Sequence, residues 1–210
     1  MDQPTFGGRK YDAFLFDMDG TILNSIPAAE RVWERWATEH GLDVESFLLK
    51  IHGVRASETV ARFGPAGLDA EAEAAKITEA EINELEGVVE IPGAGAFLRS
   101  LPPSKWAVVT SAPLALARAR ITAAGLPIPS VLITAEDVLN GKPDPEGYLL
   151  AAERLGADIK RCLIFEDAEA GILAAKAAGA ELVVVSPNDA ASERRTVQSF
   201  EELDYEVSRR

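Results

Sequence analysis

Four short groups of polar residues in this chain have the types and spacing to act together. The first is Asp17-x-Asp19, which directly follows the apolar run Ala13–Phe16 and precedes Gly20 and Thr21. In extended chain, i, i+2 spacing points both carboxylates to one side. Their charges repel there, and a divalent cation is the simplest neutraliser. The second group is Thr110-Ser111, the third is Lys142 between Gly141 and Pro143, and the fourth is Glu166-Asp167. Taken singly, each has an ordinary reading: an Asp-Gly turn, a helix N-cap, a solvated lysine, an acidic pair at a helix start. Taken together they suit phosphoryl transfer. A carboxylate attacking a phosphate dianion meets repulsion, which Mg²⁺ and one lysine can offset. Asp17, Glu166 and Asp167 supply the oxygens that Mg²⁺ prefers. The hydroxyls of Thr110 and Ser111 bind phosphate oxygens without adding charge. Asp19 can protonate a leaving alkoxide and then deprotonate water.

The surrounding pattern predicts elements that would bring these groups to one place. Residues 13–16 read as a short buried strand. Residues 27–40 carry Ala28, Val32, Trp33, Trp36 and Ala37 near helical spacing, with Pro27 suited to a first turn, and Gly41 ends the helix. Further helices are expected over 45–51, over 57–63 with Ser57 as N-cap, and over 69–86, an Ala- and Glu-rich stretch that reads as solvated. No strand is expected between 26 and 88. The pattern then alternates, with strands over 106–109, 131–133, 162–165 and 182–185 and helices over 113–124, 145–155 and 168–178. Residues 200–207 resemble a final short element, and residues 1–10 a loose tail. Strand–helix alternation with uniformly apolar strands predicts an α/β fold, a parallel sheet covered by helices on both faces. In such sheets the site lies beyond the carboxyl ends of the strands, which is where all four polar groups fall.

Composition narrows the possibilities. The 210 residues suffice for one core domain with a smaller insertion. A formal net charge of −13 argues against nucleic acid as partner and requires any phosphate site to carry its own local positive charge. The single cysteine, Cys162, permits no internal disulfide and fits a reducing, cytoplasmic setting. It sits in the apolar run CLIF and reads as core packing. No apolar stretch reads as a signal segment or is long enough to span a bilayer. Trp33, Trp36 and Trp106 read as core.

The stretches DMDGT, VVTS, GKPDPEGYLLAAERLG and FEDAEAGILAAKAAGA resemble, in order and spacing, the four motifs of the haloacid dehalogenase superfamily. The resemblance implies a Rossmann-like core of residues 1–24 and 92–210, with residues 25–91 as a helical cap of the β-phosphoglucomutase-like branch. It implies Asp17 as a nucleophile forming an aspartyl-phosphate, and Asp19 as general acid/base whose backbone carbonyl also meets Mg²⁺. It further implies Thr110 and Ser111 on the phosphate, Lys142 as charge balance, and Glu166 and Asp167 on the metal. His52 and Arg55, at a break in the cap, are candidates for substrate contact. The runs NSIPAAERVWERWATEHGL, IHGVRASETVARF and VLITAEDVLNGKPDPEGYLL resemble bacterial hexose and hexitol phosphatases and yeast 2-deoxyglucose-6-phosphate and glycerol phosphatases. The expected activity is Mg²⁺-dependent hydrolysis of small sugar or polyol phosphates. A monomer is expected, since a small cap leaves room for one, with no nucleic-acid or membrane partner. A sugar-phosphate mutase is an alternative, but mutases of this branch carry a histidine where this chain reads Ile26-Pro27-Ala28-Ala29. Dehalogenases replace the second aspartate by an aromatic residue, and Asp19 speaks against that activity. A non-catalytic phosphometabolite-binding protein is the remaining alternative, although nucleophile, lysine and metal carboxylates are all present.

Overall fold

A computed structural model describes residues 3–186 and 196–203. The chain begins with a small antiparallel ribbon, β1 (Thr5–Phe6) against β2 (Arg9–Lys10), turned by Gly7 and Gly8 at positive φ. The expected loose tail is therefore partly ordered, and the reason is Phe6. It is buried and meets the Phe165 ring edge-on at 5.8 Å. Strand β3 (Ala13–Phe16) follows, then β4 (Leu23–Asn24).

Four helices come next: α1 (Ile26–Glu39), α2 (Val44–Leu48), α3 (Ala56–Phe63) and α4 (Ala70–Asn83). The chain returns through β5 (Val89–Glu90), which pairs antiparallel with β4. It continues through α5 (Ala94–Ser100), β6 (Trp106–Val109), α6 (Leu114–Ala123), β7 (Val131–Ile133), α7 (Glu146–Arg154), β8 (Cys162–Glu166), α8 (Glu169–Ala178), β9 (Glu181–Val185) and β10 (Thr196–Val197). Four short elements, β4, β5, α5 and β10, were not expected from the sequence. The Gly-rich start of α5 hides its signal. The N-cap of α3 is Arg55 rather than Ser57. The last expected element is a 3₁₀ turn at Phe200–Glu202, and residues 204–207 lie outside the described residues.

Among the described residues the main sheet has six strands in the order β10-β9-β8-β3-β6-β7, all parallel. The first sheet strand in the chain is thus central. Successive crossovers build outward from it, first through β6 and β7 and then through β8 and β9. A strand order that reverses beside β3 opens a crevice at its carboxyl end.

Alternating side chains divide the core into two layers. Phe14 and Phe16 face α5 and α6 and join Phe97, Trp106, Phe165 and Phe200; Phe16 stacks on Phe165 with centroids 4.8 Å apart. Ala13 and Leu15 face α7 and α8, whose Ala151, Ala152, Ala174 and Ala175 allow close approach. Cys162 belongs to this second layer, where burial pushes its thiol up to about 12, so it is packing rather than a nucleophile. Helices α1–α4 pack around their own apolar cluster of Trp33, Trp36, Phe47, Ile51, Val60 and Ile77. The expectation of a solvated helix over 69–86 is corrected, because α4 buries Ala74, Ile77 and Glu81.

Candidate active site

The carboxyl ends of β3, β6 and β8 meet beneath the helical layer, and each delivers one of the polar groups. Asp17 leaves β3 with its backbone N–H still donating to the Phe165 carbonyl, at 2.9 Å. The side chain is buried. Gly20, at φ +87°, then reverses the chain and donates its N–H to the Leu23 carbonyl at 2.7 Å. That reversal leaves Asp19 and Ser25 on the same side, and the Ser25 hydroxyl donates to Asp19 Oδ1.

Lys142 reaches in from the loop after β7. Its Nζ donates to Asp17 Oδ1 and to Glu166 Oε1 and lies 5.3 Å from the centre of the Tyr148 ring. Glu166 is wholly buried at the end of β8. Its Oε1 also accepts from the Tyr148 hydroxyl at 2.9 Å. Its Oε2 accepts from the backbone N–H groups of Asp167 and Ala168, at 2.9 and 3.0 Å. Asp167 accepts from the Thr21 hydroxyl at 3.1 Å.

Asp17, Glu166 and Asp167 form a cluster in which one carboxylate oxygen from each lies within 4.8 Å of the others. Burial, and next the charge of Glu166, hold the Asp17 carboxyl well above the usual range despite Lys142. The same two causes push Asp167 up to about 7. Burial works against the charge of Lys142, but Asp17 and Glu166 outweigh it and raise the ammonium group. One lysine among three crowded carboxylates leaves net negative charge in a desolvated place. A hard divalent cation with oxygen ligands fits that donor set. Asp17 and Asp167 have the freer oxygens for it, since both oxygens of Glu166 already hold protein donors.

Thr110 is buried at the end of β6, and its Oγ1 accepts from the Ala112 N–H at 3.0 Å, leaving the hydroxyl proton free to donate. Ser111 donates to the Gly53 carbonyl of the helical layer at 2.9 Å. Neither caps α6, whose N-cap is Pro113 with no side-chain bond. The helix-cap reading of this pair is thereby replaced.

A cleft of about 90 Å³ opens over Asp17, Asp19, Thr110 and Asp167 and is roofed by Trp33 and His52 among others. His52 also meets Glu30, at 3.2 Å. Arg55 is not among the residues lining this cleft. Its guanidinium donates to the carbonyls of Ala135, Val138 and Leu139, at 2.8 to 3.2 Å.

Two residues absent from the sequence reading also line the cleft. Arg120 of α6 donates through Nη1 to Asp19 Oδ1 and through Nη2 to Glu81 Oε1, both at 3.0 Å. Glu81 is buried on α4, where burial raises its carboxyl against the pull of Arg120. Neither residue lies in a recognisable motif. Only the approach of α4 to α6 reveals them.

The family model for haloacid dehalogenase-like hydrolases matches residues 11–179. Over 177 residues the chain is 45% identical to hexitol phosphatase A of Escherichia coli K12, covering 82% of each. It is 37% identical over 196 residues to 2-deoxyglucose-6-phosphate phosphatase 1 of Saccharomyces cerevisiae, covering 83% of this chain and 80% of that one. Its fold matches that of β-phosphoglucomutase from Clostridium difficile with a TM-score of 0.78 at 21% identity, over 90% of this chain and 92% of that one. With its sheet order, its crevice and the acidic cluster at the carboxyl ends of its strands, this chain belongs to the haloacid dehalogenase-like hydrolases.

Proposed function

We propose that the chain is a Mg²⁺-dependent phosphatase of small sugar or polyol monophosphates, with residues 25–91 acting as a cap. The observation that carries this reading is the convergence of Asp17, Lys142, Glu166 and Asp167 beneath a cleft that Asp19 also lines. An Asp17 oxygen attacks phosphorus, and the bond from phosphorus to the leaving oxygen breaks. Asp19 gives that oxygen a proton, so a neutral alcohol departs. Water then attacks the aspartyl-phosphate while Asp19 takes a proton from it, and inorganic phosphate leaves with Asp17 restored. Lys142 stands where charge spreads in both steps, and Thr110 can donate to a phosphoryl oxygen. When bound by Asp17, Asp167 and Glu166, with the Asp19 backbone carbonyl, Mg²⁺ supplies Lewis-acid neutralisation of the phosphoryl oxygens.

The cap wall favours a neutral leaving group. Among the described residues, helices α1–α4 and their connections put no lysine or arginine into the cleft lining. They contribute Ile26, Trp33, Ile51, His52 and Glu81 instead. Arg120 is already shared between Asp19 and Glu81. A second phosphate, as a mutase must hold, or the carboxylate of phosphoglycolate finds no free cation there, whereas hydroxyl groups find His52 and Glu81. A cleft of about 90 Å³ is also smaller than the ~300–1,000 Å³ usual for small-molecule sites, so the cap must part to admit substrate.

Phosphate release from a panel of hexose, hexitol, glycerol and glycolate phosphates tests this, with Mg²⁺ or EDTA and beside Asp17→Asn. Turnover of the neutral polyol and sugar esters, abolished by EDTA and by at least ~10⁴-fold in the variant, is the expected result. A folded, Mg²⁺-loaded protein that releases nothing would refute the phosphatase reading. Preferential turnover of glycolate phosphate would refute the cap argument.

A further inference from the structure

Lys142 and Arg120 are the buried basic side chains among the described residues. The mechanism uses the first and leaves the second unexplained. Arg120 joins three pieces of chain. It comes from α6 of the core, Asp19 from the turn after β3, and Glu81 from the last turn of α4 in the cap. The side chains of Arg120 and Glu81 are 6% and 7% exposed. A buried arginine between two carboxylates is a poor device for stability, since apolar residues of similar volume often do as well or better. The arrangement calls for a purpose in what it holds, and what it holds is the general acid/base.

Resting on the phosphatase reading, we propose that Arg120 is a positioning residue for Asp19, and that the cap completes its hold through Glu81. A carboxylate turning about two side-chain torsions can present either oxygen in many directions. Here Arg120 Nη1 and the Ser25 hydroxyl both donate to Oδ1, which leaves Oδ2 to exchange the proton. The far end of the guanidinium is held by Glu81, so the planar fork is fixed at both ends. Glu81 belongs to the cap. The acid/base is therefore fully oriented only when the cap is seated and water is excluded, which confines proton transfer to the closed enzyme.

Leaving-group dependence separates this role from a merely structural one. An alkyl ester needs Asp19 to protonate the departing oxygen as its bond to phosphorus breaks. p-Nitrophenolate departs without a proton. The ratio kcat/KM reports steps up to that departure, whereas kcat also includes hydrolysis of the aspartyl-phosphate, for which Asp19 must take a proton from water. Arg120→Met should lower kcat/KM for glycerol or hexitol phosphate by about 100-fold and leave that for p-nitrophenyl phosphate within about threefold. It should lower kcat for both esters, leaving KM nearly unchanged for the alkyl ester and lowering KM along with kcat for p-nitrophenyl phosphate. Arg120→Lys should restore part of the loss. Glu81→Gln should show the same pattern at about tenfold, and these two variants carry the comparison if Arg120→Met does not fold. Equal losses of kcat/KM for both esters, or a change confined to KM, would overturn the assignment while the phosphatase reading stands. A wild type that releases phosphate from neither ester overturns both.

Discussion

Glycine sets the geometry of the acidic cluster residue by residue. A Cβ built on Gly171 would stand 1.5 Å from Glu166 Oε1, and one on Gly20 would stand 2.0 Å from Asp167 Oδ2. Gly20 is also at φ +87°, where a side chain is strained. Glu166 cannot simply swing aside, because Lys142, Tyr148 and two backbone N–H groups pin both its oxygens. Gly171→Ala should therefore displace the Glu166 carboxylate and lower kcat by at least about 100-fold while circular dichroism still shows a folded α/β protein. Activity within a few-fold of wild type would mean that Glu166 has more freedom than its four bonds imply. The same reasoning explains which residues were legible. Asp17, Asp19, Lys142, Glu166 and Asp167 announce themselves as carboxylates and a lysine at turns behind apolar strands. Gly171 is one small residue in an Ala-rich helix, and its necessity shows only when Glu166 is seen against it.

At the scale of elements, the loop that carries Lys142 is held from two sides. Glu146, in the first turn of α7, accepts from the N–H groups of Leu139 and Asn140, at 3.0 and 2.9 Å. Arg55, the N-cap of α3, grips the same loop from the helical layer through three carbonyls. Hydrogen bonds from a charged group contribute about 1.5–3 kcal/mol each. On the proposed roles of residues 25–91 as cap and Asp17 as nucleophile, Arg55→Ala should thus disfavour the seated cap by at least about 2 kcal/mol and reduce kcat/KM by about 30-fold. Steady-state kinetics beside a thermal melt would check it. An equal fall in kcat/KM for p-nitrophenyl phosphate, whose leaving group departs without a proton from Asp19, would show instead that the Lys142 loop itself had moved. The sequence marked Arg55 as a substrate contact because it stands at a break in the helices. Its partners are backbone carbonyls from residues 135–139, a contact between segments some 80 residues apart that no local pattern encodes. The burial of Glu81 was hidden for a related reason. Residues 70–83 are nearly all Ala and Glu, so their inner and outer faces look alike until α6 is placed beside them.

The whole molecule carries a formal charge of −13, and three of its carboxylates, Asp17, Glu166 and Asp167, meet in one cluster. Asp167 is raised from an ordinary 3.8 to about 7 by burial and by Glu166. Between those two values the native state holds a proton that the unfolded chain has released. Stability from this group is therefore present in full below about 4 and lost as pH rises through 7. A divalent cation held by the cluster would compete with that proton and replace its effect at higher pH. The metal-free protein should melt at lower temperature at pH 8 than at pH 5.5. Mg²⁺ at about 100 times its dissociation constant should raise the melting temperature by roughly 5–10 °C at pH 8, from ~2.7 kcal/mol of linkage and ~2–4 °C per kcal/mol. The rise should be smaller at pH 5.5. Asp167→Asn should flatten both dependences. Equal Mg²⁺ shifts at the two pH values would remove the cluster as the metal's site.

The sequence by itself determined the parallel α/β core, the helical character of the inserted segment, and the residues that end the central strands. Each of these is a local matter. Strands buried on both faces must be apolar throughout, helices repeat their apolar residues every three to four positions, and reactive groups sit where a strand stops. The tertiary structure decided what depends on approach between distant segments. It joined Arg120 to Asp19 and Glu81 across 101 and 39 residues of chain, turned Arg55 onto a loop, tied Ser111 to the helical layer, and, among the described residues, left the helical wall of the cleft without a lysine or arginine. Electrostatic and hydrogen-bond energies depend on distance in space. Sequence separation is silent about that distance until the helical layer and the sheet are packed together.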